Sequence, residues 1–303
     1  MAFNTTGIGT WVNENTQTLI SKAILELEST KYFTVMPGIK YKEQIKKLSV
    51  ESPLVAASCG TPTTTGTTSL TDKDISVVGF QTYEELCPSD LESTSLQLSM
   101  KSGWNEDMPF EAQYADLKVK EIQKQIETKL WSASEAATNG IDGLVYLFDN
   151  DSAVIDRTFA WSATTWTSSD YMGEIFGMVN SLPAEVQALD NLTIFLGKEI
   201  SRKMVQQFVI TGNYHIDFTA ENGNAPWLFP GTNVMIVPVN GLNSTNKVVL
   251  VPADNLIYAT DLMNGEEKFK MWWSEDDQYV KFLSHFKIGV EYYYGDYVVL
   301  SQA

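Results

Sequence analysis

The sequence has few of the side chains that build metal, redox or nucleotide sites. Only two cysteines occur among its 303 residues, and Cys59 and Cys87 lack the CxxC spacing of zinc and redox sites. The two histidines, His215 and His285, have no second imidazole or cysteine at ligand spacing. The signature motifs of serine hydrolases, zinc proteases and P-loop nucleotide hydrolases are also missing. We therefore predict no cofactor, no metal ion and no catalytic residue.

Positive charge is scarce as well. The chain has 21 lysines and arginines against 38 acidic residues, a formal net charge of −17, and only Arg157 and Arg202 supply a guanidinium group. No third of the chain is basic. Tight binding to nucleic acid needs lysine and arginine gathered on one face to displace counterions. Direct recognition of a nucleic-acid sequence is therefore not expected.

Long hydrophobic runs are absent too. No window reaches the ~18 consecutive apolar residues of a membrane span, and the first residues lack the pattern of a secretion signal. We expect a chain that is made in the cytosol and has no membrane partner.

Charged residues make up 19% of the chain, whereas soluble proteins average about 25%. A surface filled by neutral polar side chains suits extensive contacts between subunits.

The clearest positive pattern is one long helix, predicted over residues 109–131. Pro109 can begin a helix because its missing amide hydrogen would have no partner there. Apolar residues at spacings of three to five form a stripe: Phe110, Tyr114, Leu117, Ile122, Ile126 and Leu130. An ordinary core helix of a single globule is the alternative interpretation.

The residues before this helix form two elements with little core of their own. A short amphipathic helix is predicted after the capping residues 13–16, and such a helix is marginal in water unless it packs. Residues 39–85 predict a long two-stranded projection, with a turn-rich tip at 58–71 and a second strand containing Ile75, Val77 and Phe80. Because an isolated hairpin is at best marginally stable, we expect both elements to lie on a neighbouring surface.

The second half of the chain changes to a mixed pattern, and the predicted fold class is α+β. A buried-type strand at 192–196 is followed by Gly197 and by a helix whose apolar stripe includes Ile200, Met204 and Phe208. Further strands rich in aromatic residues follow, separated by glycine, asparagine and aspartate turns.

The order of these segments resembles that of the major capsid proteins of tailed bacteriophages. The resemblance rests on the arm, the lysine-bearing loop, the long helix, the strand–helix unit at 192–208, the Pro-Gly-plus-strand segment at 229–238 and the closing segment at 286–292. It covers nearly the whole chain, and the family shares its fold with encapsulin shells and the floor of herpesvirus capsids. It implies an N-terminal arm at 1–38, an extended loop at 39–86, a peripheral domain with a spine helix at 87–138 and 266–303, and an axial domain with a mixed sheet and flanking helices at 139–265.

This resemblance implies a structural function. Family members form hexamers and pentamers that close into an icosahedral shell around double-stranded DNA, with scaffolding, portal and, in some shells, decoration proteins as partners. The implied location is the virion. An acidic inner wall agrees with this function, because it repels phosphate and lets packaged DNA slide.

The residues we predict to contact neighbouring subunits are Leu19, Ile20, Ile24 and Leu27 in the arm and Lys40, Lys42, Lys46 and Lys47 in the loop. Some relatives crosslink a loop lysine to an asparagine of a neighbour. Nothing in this sequence identifies such an asparagine, so the crosslink is not carried over.

Two other functions remain open at the level of sequence. An encapsulin-like compartment would use the same fold with an enzyme as cargo. A carbohydrate-active or carbohydrate-binding β-rich protein would need paired carboxylates and aromatic residues along a groove, and Trp161, Trp166, Trp272 and Trp273 are the candidates. Core packing is the ordinary reason for aromatic residues at strand positions.

Overall fold

The computed structural model describes residues 27–51, 54, 66–87, 110–158, 171–210, 225–261 and 269–302. Several predicted features lie outside these residues, namely the arm helix with Leu19, Ile20 and Ile24, most of the tip at 58–71, Cys59, His215, Trp161 and Trp166.

Helices and strands mix throughout the described residues, and the predicted α+β class is confirmed. The helices are α1 (Phe110–Leu130), α2 (Ala136–Asn139), α3 (Leu144–Asp149), α4 (Tyr171–Ser181), α5 (Ala184–Gln187) and α6 (Lys198–Ile210). The strands are β1 (Thr34–Pro37), β2 (Lys42–Glu51), β3 (Thr67–Ser76), β4 (Val78–Leu86), β5 (Ile155–Thr158), β6 (Leu192–Gly197), β7 (Trp227–Leu228), β8 (Met235–Val239), β9 (Lys247–Pro252), β10 (Leu256–Thr260), β11 (Phe269–Ser274), β12 (Tyr279–Tyr292) and β13 (Val299–Gln302).

The predicted long helix is confirmed as α1, but its buried stripe differs from the prediction. Val119, Ile122, Ile126 and Leu130 are buried, at spacings of three or four residues that place them on one side of the helix. Leu117 was predicted to belong to this stripe and is 66% exposed. It lies two residues from Val119, which is about 200° around the helix and therefore on the opposite side.

One five-stranded sheet is organised by the long strand β12. Strand β4 pairs along residues 280–288 of β12, while β10 and β11 pair with residues 288–292 and 279–284 on its other edge. Strand β1 adds to β10 in parallel. The strand that follows the hairpin is thereby built into the same sheet as β12, which lies far from it in the sequence.

A six-stranded mixed sheet has the order β5-β13-β9-β6-β8-β7. Its central strand β6 is buried at every residue and leads directly into α6, which confirms the predicted strand–helix unit. Successive side chains of a strand point to opposite faces, so Phe195 packs towards α1 whereas Ile194 and Leu196 pack towards α4 and α6. The sheet thus has a helical layer on each side.

The hairpin differs from its prediction in the identity of its second strand. Strand β2 pairs with β3, residue for residue from Lys42 opposite Ser76 to Glu51 opposite Thr67. The predicted second strand included Phe80, but that residue lies in β4, which pairs with β12 instead. Phe80 has an aromatic surface to bury and stacks on Phe286 at 6.1 Å between ring centroids. The polar, threonine-rich β3 buries little and remains in the hairpin.

Candidate assembly surface

The root of the β2–β3 hairpin is fixed to the body by a small apolar cluster. Ile45 and Ile75 are buried together with Ile257 of β10. Gly289 of β12 permits this approach, because a Cβ atom there would lie 2.2 Å from the carbonyl oxygen of Ser76. The strand residues at the base of the hairpin are therefore packed against the sheet.

Two lysines of the hairpin extend this attachment by electrostatic contacts. Lys73 Nζ lies 2.7 Å from Glu291 Oε1 and 3.2 Å from the centroid of the Tyr292 ring. Lys47 Nζ lies 4.4 Å from the centroid of the Tyr294 ring and 3.9 Å from Asp296 Oδ1. We call these two lysines the lysine clamp. Both project from the same face of the hairpin, so together they set its direction relative to the body.

The side chains that Lys73 contacts, Glu291 and Tyr292, are partly buried and hydrogen-bonded. Burial raises the pKa of Glu291, and the nearby charge of Lys73 opposes that rise. The Tyr292 hydroxyl donates a 2.6 Å hydrogen bond to Asp151 Oδ2, and burial raises the pKa of Tyr292 so that this donor keeps its proton. The Tyr292 amide also donates a 3.0 Å hydrogen bond to Glu291 Oε1, so the ring and the carboxylate that Lys73 contacts are both held in position.

Beyond its root, the hairpin exposes apolar side chains. Leu48 and Leu70 are directly opposite each other on the two strands, and they are 56% and 59% exposed. Val50 is two residues further along the same face and is 59% exposed. We call these three residues the hairpin apolar patch. An exposed pair of leucines on an outstretched hairpin is a surface that a partner would bury.

The four predicted loop lysines have different surroundings. Lys42 pairs with Asp74 across the hairpin at 2.6 Å. Lys40 is exposed and its carbonyl oxygen accepts a 2.7 Å hydrogen bond from Lys287 Nζ, while Lys46 is exposed on the face of the hairpin apolar patch. Lys47 is half-buried in the lysine clamp and contacts its own chain.

The end of the arm is part of the core, which differs from the expectation for Leu27. This side chain was predicted to contact a neighbouring subunit, but it is 2% exposed and belongs to the largest core cluster of its own chain. Phe33 packs edge-on against Trp131 and Phe195, at 5.8 and 5.9 Å between ring centroids. These residues directly precede β1, which anchors them to β10. The arm is therefore attached from Leu27 onwards.

Sequence reasoning missed an exposed aromatic face on the five-stranded sheet. Tyr83 pairs with Leu283, and Trp272 pairs with Lys281 two positions along β12, so Tyr83, Leu283 and Trp272 share one face. The alternation of residues in β4, β11 and β12 is the signal that could have identified this face. Trp273 lies on the opposite face against the core. Adjacent tryptophans on opposite faces cannot line one sugar groove, which removes this pair from the carbohydrate hypothesis.

Two absences hold for the described ranges, one of metal-binding clusters and one of membrane-spanning helices. These ranges contain no group of three or more histidine, cysteine, aspartate or glutamate side chains that could hold a metal ion. Among the helices of those ranges, none combines the length and the hydropathy that crossing a bilayer requires.

Solved structures with the same arrangement decide the fold. The structure of the satellite phage P4 procapsid is similar to this chain with a TM-score of 0.62 and 13% identity, over 95% of this chain and 90% of that one. The chain has the tailed-phage major capsid fold. The cyanophage P-SCSP1u capsid is similar with a TM-score of 0.56 and 13% identity, over 92% of this chain and 88% of that one. A virus-like particle from Pyrococcus furiosus is similar with a TM-score of 0.54 and 9% identity, over 95% of this chain and 98% of that one.

No protein-family model and no curated protein matches the sequence. At such low identity the shared property is the capsid fold itself. In that fold, α1 is the spine helix and β2–β3 is the extended hairpin. The candidate functional site is therefore that hairpin, with its exposed apolar patch.

Proposed function

We propose that this chain is the major shell protein of a tailed-phage head. Copies of it form hexamers and pentamers that close into an icosahedral shell around double-stranded DNA. The role is structural and not catalytic. In this proposal residues 1–38 are the arm, 39–86 the extended loop, 87–138 and 266–303 the peripheral domain, and 139–265 the axial domain.

The observation that carries the proposal is the hairpin apolar patch. Leu48, Val50 and Leu70 are more than half exposed, although the root of the same hairpin is buried and clamped. Burying apolar surface is worth about 25 cal/mol per Å², and this surface is available for a neighbouring copy. Because the lysine clamp fixes the hairpin to the body, we expect every copy to present the patch in the same direction. That is a requirement of a closed, symmetric shell.

Composition supports an interior that holds DNA without binding its sequence. The net charge of −17 gives a surface that repels phosphate. Synthesis in the host cytosol, location in the virion, and scaffolding, portal and decoration partners belong to the same proposal. Lys40, Lys42 and Lys46 remain proposed contacts to a neighbouring copy, as do Leu19, Ile20 and Ile24.

A cargo-filled compartment is a second candidate, because the Pyrococcus furiosus virus-like particle matches over 98% of its own length. The two candidates differ in what the particles contain. Nuclease-protected double-stranded DNA in particles from the natural source would support a phage head. Particles filled with a second protein would support a compartment.

The shell role is tested by changing the hairpin apolar patch. Replacing Leu48 and Leu70 with serine removes the exposed leucine pair. Ser49 and Ser69 are also directly opposite each other but project from the other face, so replacing both with alanine is a matched control. We expect particles from the wild-type chain and from the S49A/S69A variant, and unassembled subunits or capsomers from L48S/L70S. Sedimentation velocity and negative-stain microscopy measure this outcome.

A thermal unfolding curve of each unassembled variant verifies that the fold is intact. Particles of normal size and yield from L48S/L70S would contradict the role of the patch. A wild-type chain that remains a stable monomer at high concentration would contradict the shell proposal itself.

A further inference from the structure

The end of the arm meets the spine helix α1 at a buried carboxyl group. Glu127 is 3% exposed, in the last two turns of the helix. Ser29 Oγ donates a hydrogen bond to Glu127 Oε1, and Trp131 Nε1 donates a 2.7 Å hydrogen bond to Ser29 Oγ. A chain of hydrogen bonds thus connects an arm residue to Glu127 of the helix and to Trp131, which directly follows the helix.

One side of this carboxyl group lacks a partner. In the part of the chain that the structure describes, Glu127 Oε2 accepts no hydrogen bond, and the hydroxyl of Tyr258 on β10 has no partner either. A buried carboxylate ion needs several donors to replace its lost hydration. A carboxyl oxygen without any donor suits the neutral acid, because burying an unpaired neutral hydroxyl costs less free energy than burying an unpaired charge.

The charged and titratable groups around Glu127 do not favour its ionisation. Glu28, the neighbour of Ser29, is a second carboxylate, and it pairs with Lys198 at the start of α6 and accepts a 3.3 Å hydrogen bond from the Asn240 amide. Lys198 is thus engaged by Glu28 rather than by Glu127. Tyr258 is the titratable group on the β10 side, and burial raises its pKa so that it stays neutral.

On balance these surroundings raise the pKa of Glu127. Burial raises this pKa to about 7 and the charge of Glu28 adds to the rise, while hydrogen bonds from the Ser29 hydroxyl, the Ser29 amide and Trp131 oppose it. The turn that carries Gly241 packs closely on the helix backbone at this point, because a Cβ atom at Gly241 would lie 2.4 Å from the main-chain carbonyl oxygen of Glu127 and 2.5 Å from Trp131 Cδ1. Since Glu127 is only 3% exposed, solvent reaches its carboxyl group only if the packed segments move apart.

We propose that Glu127 is a proton-dependent lock between the arm and the spine helix. As a neutral acid it holds residues 27–33 against the helix, and as a carboxylate it loosens them. The arm end is the part that yields, because Glu127 belongs to a 21-residue helix and Tyr258 to a strand that is paired on both sides. Residues 27–33 contain only a single 3-10 turn. The lock is a property of the single chain, so it does not depend on the proposed function.

The direction of the pH effect follows from proton linkage. When the arm end opens, Glu127 meets water and regains its ordinary pKa of 4.5, whereas the closed form binds the proton more tightly. The closed form is therefore fully favoured below about pH 4.5, loses stability as the pH rises towards 7, and changes little above that.

Amide hydrogen exchange of residues 27–33 in the full chain tests the lock. After correction for the intrinsic rate, we expect protection to fall by roughly tenfold or more between pH 5 and pH 7 and to level off by pH 8. Glu127→Gln keeps an oxygen to accept the Ser29 hydrogen bond and cannot ionise, so its protection should be high and independent of pH. Glu121→Gln removes an exposed carboxylate from the same helix and should keep the wild-type profile.

Two further measurements separate a lock from a general effect of pH. Ser29→Ala breaks the hydrogen-bonded chain, so protection of residues 27–33 should be low at both ends of the pH range. The amides of β6 serve as an internal reference and should not change with pH in any variant. The proposal is overturned if Glu127→Gln keeps the wild-type pH profile, if the wild type shows none, or if β6 loosens in parallel with residues 27–33.

Discussion

Lys73 fastens the extended hairpin to Glu291, with 2.7 Å between Nζ and Oε1. The Glu291 side chain is only 9% exposed, and the lysine also lies over the ring of Tyr292. A buried carboxylate next to a single cation depends on that cation for its charged state. The direction of the hairpin is thus set by a specific ion pair as well as by the apolar cluster at its root.

Lys73→Met should therefore destabilise the chain by about 1–3 kcal/mol, because it leaves the Glu291 carboxylate without a charged partner. The matched control is Lys42→Met. The Lys42 ion pair with Asp74 is about half exposed on both sides, and such pairs contribute less than ~1 kcal/mol. Urea unfolding of the unassembled chain measures both values. Equal losses in the two variants would show that Lys73 is an ordinary surface lysine.

Gly289→Ala should disrupt the root of the hairpin. The added methyl group would lie 2.2 Å from the Ser76 carbonyl oxygen, so β12 or the end of β3 has to shift. We expect a loss of about 1–3 kcal/mol in unfolding free energy, in the range of other overpacked sites. Gly79 lies in β4, paired with the same β12, and its new methyl group would meet nothing closer than 4.0 Å. Gly79→Ala should be close to neutral, and a similar loss there would rule out this steric explanation.

Truncation to alanine should greatly reduce stability at Ile126 of the spine helix and hardly change it at Leu117. Ile126 is 1% exposed, so Ile126→Ala leaves a cavity and should cost about 2–5 kcal/mol. Leu117 is mostly exposed, and Leu117→Ala should change stability by less than about 0.5 kcal/mol. Thermal unfolding of the unassembled chain tests the pair. A large loss at Leu117 would mean that the predicted stripe was right and that the observed one is not.

The elements predicted correctly from sequence are those whose signal is local. Residues 110–130 carry an apolar period close to that of a helix, and Gly197 separates a continuous apolar strand from a striped helix. The prediction was wrong at Leu117 because it assigned this residue to the buried side of the helix. Val119 and Leu117 are both apolar, and only packing against the sheets decides which of them faces the core.

Other parts of the site could not be predicted, because they depend on residues far apart in the chain. The contact of Ser29 with Glu127 joins positions separated by 98 residues, and nothing near either of them indicates it. Whether β3 or β4 completes the hairpin likewise depends on β12, which follows about 200 residues later.

The sequence by itself determined the α+β class, the spine helix, the strand–helix unit and the presence of an extended, lysine-bearing hairpin segment. These follow from periodicity and turn residues, which act over a few positions. Only the tertiary structure decided that Leu27 lies in the core, that Lys47 and Lys73 clamp the hairpin, that Trp272 and Trp273 lie on opposite faces of a sheet, and that Glu127 is buried. Each of these results from how distant segments pack, since burial and charge pairing depend on three-dimensional neighbours rather than on neighbours in sequence.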